Sequence, residues 1–333
     1  MGIQAWDIWL IQSLQSTRDW LEPVMEFFTA LGYPQAYMVL VAVIYWSLDR
    51  KLGLRLAIFL PLVSIVNSIL KLAIHAPRPY WISKDIKAIH ASGGFGMPSG
   101  HAQASTVWLL ASSYLRKKWL WIIAIMVTFL VGLSRPYLGV HFPTQVLAGW
   151  AIGIAVVICF LRFEKGVTSW LQQLKLHWQL LFVTGIAVLI ILIGAIILLE
   201  SGNWDMPMEW IGNASPHRLL DKTLLRSYSM GSITGNAGSF LGVAMGAILM
   251  NRIGGFLVER VWWVRLLRVI IGLACMFMLY TCMQMIAPAE SDFLKNSAWR
   301  FLGFYLISFL AVYLLPMLFI RLKLMKQDQK LIL

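Results

Sequence analysis

The chain has 333 residues, of which 59% are hydrophobic and 13% charged, with a mean hydropathy of +0.73. A soluble domain is about a quarter charged, so the composition predicts a polytopic membrane protein and excludes disordered and collagen-like chains. The net charge of +13 sits in short clusters between apolar runs rather than in a soluble basic domain, which argues against a nucleic-acid partner.

Residues 1–33 intersperse Asp7, Arg18, Asp19, Glu22 and Glu26 with Trp6, Ile8, Trp9, Leu10, Trp20 and Phe27. That mixture predicts amphipathic helices lying at the membrane interface. The first twenty residues lack a basic n-region and a clean apolar h-region, so no cleavable signal peptide is expected. Apolar runs near 34–48, 54–74, 99–116, 119–135, 142–161, 177–199, 232–250, 263–286 and 299–320 follow. Each approaches the roughly 20 residues a bilayer crossing takes, predicting an all-α bundle of about nine spans. Cys159, Cys275 and Cys282 lie in these runs and form no CxxC or Cys/His cluster, which argues against a disulfide framework or a zinc site.

The loops at 49–55, 116–118, 162–176 and 251–262, with the C-terminal tail, carry most of the 28 Lys and Arg residues. The positive-inside rule places them in the cytoplasm, the N-terminus outside and the C-terminus inside. Three polar interruptions then share the outer face. The first reads Lys71-Leu72-Ala73-Ile74-His75-Ala76-Pro77-Arg78-Pro79, where the prolines end a span and Lys71 snorkels toward the interface that holds Arg78. Next comes Pro98-Ser99-Gly100-His101, a helix start whose backbone N–H groups favour an anion. Last comes Ser134-Arg135, followed by His141 and Gln145. Fixed cations beside two histidines suit the holding of a phosphate while one imidazole attacks phosphorus and the other protonates the leaving oxygen.

Lys-x6-Arg-Pro, Pro-Ser-Gly-His and Ser-Arg-x5-His, in this order at span ends, resemble the type 2 phosphatidic acid phosphatase superfamily (PAP2), over roughly residues 1–163. The resemblance implies a PAP2-like helical core at 34–163; the interfacial helices at 1–33 precede it and the four further apolar spans at 177–333 follow. It implies that Lys71, Arg78, Ser99, Gly100 and Arg135 bind phosphoryl oxygens, that His101 is the acid and that His141 is the nucleophile, with no metal or other cofactor. The chain departs from the family at Gln145, where an Asp usually accepts the nucleophile's N–H. An amide in its place offers a dipole without a charge, and the nearest motif-linked carboxylate is Asp85. His75 and His90 flank the motifs without an assigned role, and His177 and His217 read as interfacial or solvated.

The expected activity is hydrolysis of a lipid phosphate or diphosphate in a bacterial cytoplasmic membrane, with the site on the outer face. The family's bacterial substrates are undecaprenyl diphosphate, phosphatidylglycerol phosphate and phosphatidate, and an outward site suits the first. Transfer of the phosphoryl group to another lipid or to a sugar, or lipid-phosphate binding or transport without turnover, are the alternatives. The change of composition at 163–176 separates the extension, whose polar 200–230 loop reads as outer. Gly238, Gly242 and Gly246 predict a close helix approach, within the chain or in a homodimer.

Overall fold

The computed structural model describes residues 2–89, 93–214, 230–258, 261–288 and 292–328. Apart from one short antiparallel pair, β1 (Phe256–Leu257) with β2 (Lys326–Gln327), the regular elements are helical. Seven helices among the described residues are long and apolar enough to cross a membrane: Arg50–Ile82, Lys118–Tyr137, Pro143–Gln173, Leu176–Glu200, Gly231–Arg252, Trp262–Met285 and Phe293–Arg321. A pair of helices bent by 56°, Trp20–Ala30 with Pro34–Leu48, passes the same test only when taken together, as a broken span or a re-entrant loop. The run expected to span at 99–116 is instead two short helices, α6 (Gly100–Ser105) and α7 (Val107–Leu115). The hydroxyls of Ser105 and Thr106 bond back to the carbonyls of Ala102 and Gln103, both at 2.8 Å. Such back-bonding competes with the backbone ladder and bends helices, so the apolar run keeps its extent but is interrupted at Thr106.

The chain divides into two compact units. The first comprises Met1–Ala36, Val66–Leu161 and Ile193–Ser229. It contains α1 (Gly2–Ser16), α2 (Arg18–Ala30), the end of α4 (Arg50–Ile74), α5 (Pro79–Ile82), α6, α7, α8 (Lys118–Tyr137), the start of α9 (Pro143–Gln173), the end of α10 (Leu176–Glu200) and α11 (Met208–Ala214). Helix α8 is its hub, packed against α1, α2, α6 and α7. Gly149 of α9 lets α6 approach, because a Cβ there would stand 2.6 Å from the Ser99 carbonyl oxygen.

The second unit comprises Tyr37–Ile65, Arg162–Leu192 and Met230–Leu333. Its central element is α12 (Gly231–Arg252), with 72% of its most apolar window buried, against 17% for α13 (Trp262–Met285). The glycines of α12 face α14 (Phe293–Phe309). A Cβ on Gly238 would meet the Phe301 carbonyl oxygen at 2.2 Å, and one on Gly242 the Tyr305 carbonyl oxygen at 2.4 Å. Gly238 and Gly242 thus make a close helix approach within the chain, one of the two arrangements their spacing allowed. Beyond α14 the helix widens to a π segment (Leu310–Leu314) before α15 (Leu315–Arg321). The Trp46 indole and the Tyr45 hydroxyl donate to its Ala311 and Val312 carbonyls at 2.9 and 3.0 Å, covering acceptors that the widened ladder presents.

Candidate active site

All eight residues singled out by the motifs fall in the first unit. Helix α8 ends through Gly139, at φ +72°, with Gly139 N–H donating to Pro136 O at 2.9 Å and Val140 N–H to Arg135 O at 3.2 Å. This is the Schellman pattern, which needs a residue tolerant of the left-handed region. It releases His141 immediately after the turn. Pro143 then opens α9, whose fixed φ and missing N–H suit the first helical position, so Gln145 stands one turn beyond His141.

Arg78 is 1% exposed and ties the first motif to the loop that leads into the second and to the third. Its Nε donates to Gly94 O at 2.7 Å, Nη2 to Gly93 O at 2.8 Å, and Nη1 to Val140 O at 2.8 Å. Nη1 also lies 3.2 Å from His141 Nε2. Guanidinium nitrogens only donate, so Nε2 is the acceptor and carries the lone pair. The proton of neutral His141 is then on Nδ1, which faces Gln145 Oε1 at 3.1 Å.

The orientation of Gln145 is set independently. Its Oε1 accepts the Phe142 N–H at 3.2 Å and its Nε2 donates to Pro77 O at 2.7 Å. A flipped amide would set donor against donor and acceptor against acceptor, so the carbonyl faces the imidazole. Gly96 passes so close that a Cβ would stand 2.4 Å from Pro77 O and 2.5 Å from Gln145 Nε2. The Ser99 N–H donates to the Gln145 backbone carbonyl at 3.0 Å, binding the second motif to the third. Asp85 is exposed and does not take this place.

Lys71, in the last turn of α4, donates from Nζ to Phe95 O at 2.9 Å. Arg135 is 1% exposed and its Nη1 donates to the hydroxyl of Thr29 on α2. Ser99 Oγ and His101 Nε2 are buried without a hydrogen-bond partner. Buried polar atoms are nearly always satisfied, and these two are among several in the described residues that are not. The His101 ring packs edge-on to Tyr33, with centroids 5.0 Å apart. Helix α6 opens at Gly100 and is separated from α7 only by Thr106. Burial, then the charges of Arg78, Lys71 and Arg135, hold the His141 imidazole well below its usual range, against the opposing Gln145 hydrogen bond. A neutral imidazole thus stands among three cations.

The motifs do not mark several residues that complete this arrangement. The expected interfacial segment supplies Thr29, Gly32 and Tyr33. It also supplies Asp7, whose carboxylate accepts from Thr144 Oγ1 at 2.8 Å and from Thr144 N–H at 3.4 Å, at the start of α9. Asn67 donates to Pro98 O at 3.1 Å and Gln103 Oε1 at 2.8 Å, steadying the start of α6. A buried polar residue in an apolar run was the one available signal for Asn67. His75 stacks on Trp204, and His177 packs beside Trp178. His90 and His217 lie outside the described residues.

Residues 52–169 match the PAP2 superfamily model, and residues 234–327 match that of the PAP2 superfamily phosphatase transmembrane extension. The chain is similar to phosphatidylglycerophosphatase B of Bacillus subtilis, 30% identical over 170 residues, covering 47% of this chain and 81% of that protein. It is similar to the undecaprenyl-diphosphatase of Sulfolobus acidocaldarius, 28% identical over 150 residues, covering 44% and 71%. It is also similar to the glucose-6-phosphatase catalytic subunit 1 of Haplochromis nubilus, 26% identical over 277 residues, covering 73% and 76%. With its apolar helices and its motif residues gathered in one unit, the chain belongs to the PAP2 superfamily as an integral membrane phosphatase carrying the family's transmembrane extension.

Proposed function

We propose that this phosphatase hydrolyses a lipid phosphate or diphosphate through a phosphohistidine on His141, with undecaprenyl diphosphate the favoured substrate. The observation that carries the reading is the polarisation of His141. Nδ1–H is turned to Gln145 and the Nε2 lone pair points into a cluster of cations. Nε2 attacks phosphorus as the bond from phosphorus to the leaving oxygen breaks, and protonated His101 gives that oxygen its proton. Water then attacks the phosphohistidine while His101 takes up a proton, releasing phosphate and restoring both imidazoles. Lys71, Arg78, Arg135, Ser99 Oγ and the backbone at Gly100 hold the phosphoryl oxygens, and no step calls for a metal.

Two of the similar proteins are named for lipid phosphates and one for a sugar phosphate. The lipid reading rests on the apolar spans that end at the site, and the basic inner loops support placing it on the outer face. The test is phosphate release by purified protein in detergent with a chelator present, using undecaprenyl diphosphate, phosphatidylglycerol phosphate, phosphatidate and glucose 6-phosphate. Release from the lipids, with His141→Ala and His101→Ala inactive, is expected. Full turnover by His141→Ala removes the nucleophile assignment, and release from glucose 6-phosphate alone removes the lipid.

A further inference from the structure

The polar segment that follows α10 belongs to the same compact unit as the motifs. Trp204 lies face to face with His75, centroids 4.8 Å apart and planes 16° from parallel. Phe95 sets its ring edge-on to both, at 4.8 Å from His75 and 5.6 Å from Trp204. Six and nine residues further on, Trp210 meets the Trp81 ring at 5.9 Å, and the Asn213 amide donates to the carbonyls of Trp81 and Ile82 at 3.0 and 3.4 Å.

These contacts bracket Arg78. His75 precedes it by three residues and Trp81 follows it by three, while Phe95 supplies a carbonyl to Lys71 Nζ at 2.9 Å and another contact to Arg78 Nη2 at 3.4 Å. Helix α5, which Arg78 caps, has four residues. An isolated turn of that length does not hold its own geometry, and its last two carbonyls are the ones Asn213 covers. We propose that Trp204 and Asn213 are positioning residues for Arg78 and Phe95, so that the outer segment of the extension completes the phosphate-binding site. The proposal rests on the phosphatase reading of that site. It also gives this part of residues 177–333 a role that spans alone do not supply.

Reacting groups misplaced by about an ångström lose on the order of a hundredfold in rate. Trp204→Ala, and Asn213→Asp, which turns a carboxylate oxygen toward two carbonyls, are therefore expected to lower kcat/KM on phosphatidylglycerol phosphate by about tenfold to a hundredfold. Inhibition by orthovanadate, a phosphate mimic, should weaken in parallel, and Trp204→Phe should restore most of both. Met276→Ala, a buried residue of the second unit, serves as the comparison: it should lower the melting temperature with vanadate inhibition unchanged. Wild-type kcat/KM and vanadate inhibition in a folded Trp204→Ala overturn the proposal. Should that variant not fold, the same result in Asn213→Asp does so. If the wild-type protein releases no phosphate, the phosphatase reading falls instead. Calorimetric titration of vanadate into wild type and the two variants then still decides whether Trp204 and Asn213 order the anion site.

Discussion

The side-chain amide of Gln145 donates to the Pro77 carbonyl oxygen at 2.7 Å while its own oxygen faces His141 Nδ1 at 3.1 Å. A carboxylate accomplishes the second contact and not the first. With Glu at 145 an anionic oxygen would confront Pro77 O across a gap Gly96 leaves no room to widen. With Asp the shorter side chain leaves that carbonyl unpaired. An unsatisfied buried acceptor costs about 1–3 kcal/mol, which is roughly a tenfold to hundredfold rate effect if it falls on the transition state. Gln145→Glu and Gln145→Asp are therefore expected to lower kcat, despite restoring a charge beside the imidazole. Phosphate-release kinetics check this, and a rate gain in Gln145→Asp would mean that the amide weakens the enzyme.

The His141 imidazole is held low chiefly by burial and then by Arg78, Lys71 and Arg135. Nucleophilic attack needs the neutral ring, so a depressed value extends activity toward acid. The acid limb of kcat/KM, which reports the free enzyme, is expected below about 6.5, the ordinary histidine value. Lys71→Gln removes one positive charge and should move that limb upward in the residual activity. A wild-type limb at or above 6.5 contradicts the assignment of His141 as the titrating nucleophile.

The motif residues were legible because each is a polar, proline or glycine interruption at the end of an apolar run, where a membrane protein tolerates such groups only with a use for them. What escaped was carried by atoms or separations that a sequence does not display. Pro77 acts through a backbone carbonyl that every residue possesses. Thr29 and Arg135 are 106 residues apart, and Asp7 and Thr144 are 137 apart. Neither pair has a local pattern. The amphipathic character of residues 1–33 indicated a face for the membrane, yet the buried minority on those helices is what meets the site. The Gly238 and Gly242 spacing indicated close approach and left the partner open, because a small-residue stripe fits another segment of the same chain as well as a second copy.

Arg135 places a guanidinium donor on the Thr29 hydroxyl, and Thr29 is 2% exposed. Thr29→Val keeps the volume and removes the acceptor. Hydrogen bonds to charged groups contribute about 1.5–3 kcal/mol, so the guanidinium loses a fixed orientation toward the phosphate. The expected result is a KM, and a vanadate inhibition constant, raised by about tenfold or more, with Thr29→Ser close to wild type. Equal values in Thr29→Val would show that Arg135 is oriented without α2.

Asp7 is buried at the N-terminus of α9, and burial raises its carboxyl above the usual range against the two Thr144 hydrogen bonds, which lower it. A carboxyl whose folded value exceeds its unfolded one binds its proton more tightly in the fold. Its ionisation therefore subtracts from stability as pH climbs from the unfolded value through the folded one, and stability is regained on acidification through the same window. Asp7→Asn retains an acceptor for Thr144 and cannot ionise, so its melting temperature should lose that part of the pH dependence while activity is kept. Asp7→Ala also removes the cap of the helix that bears Gln145, at a cost of about 1 kcal/mol. Thermal unfolding in detergent between pH 4 and 7, values that bracket an ordinary carboxyl and a raised one, separates the two variants. A wild-type protein whose melting temperature instead rises with pH relative to Asp7→Asn would show that the helix N-terminus outweighs burial at this carboxylate.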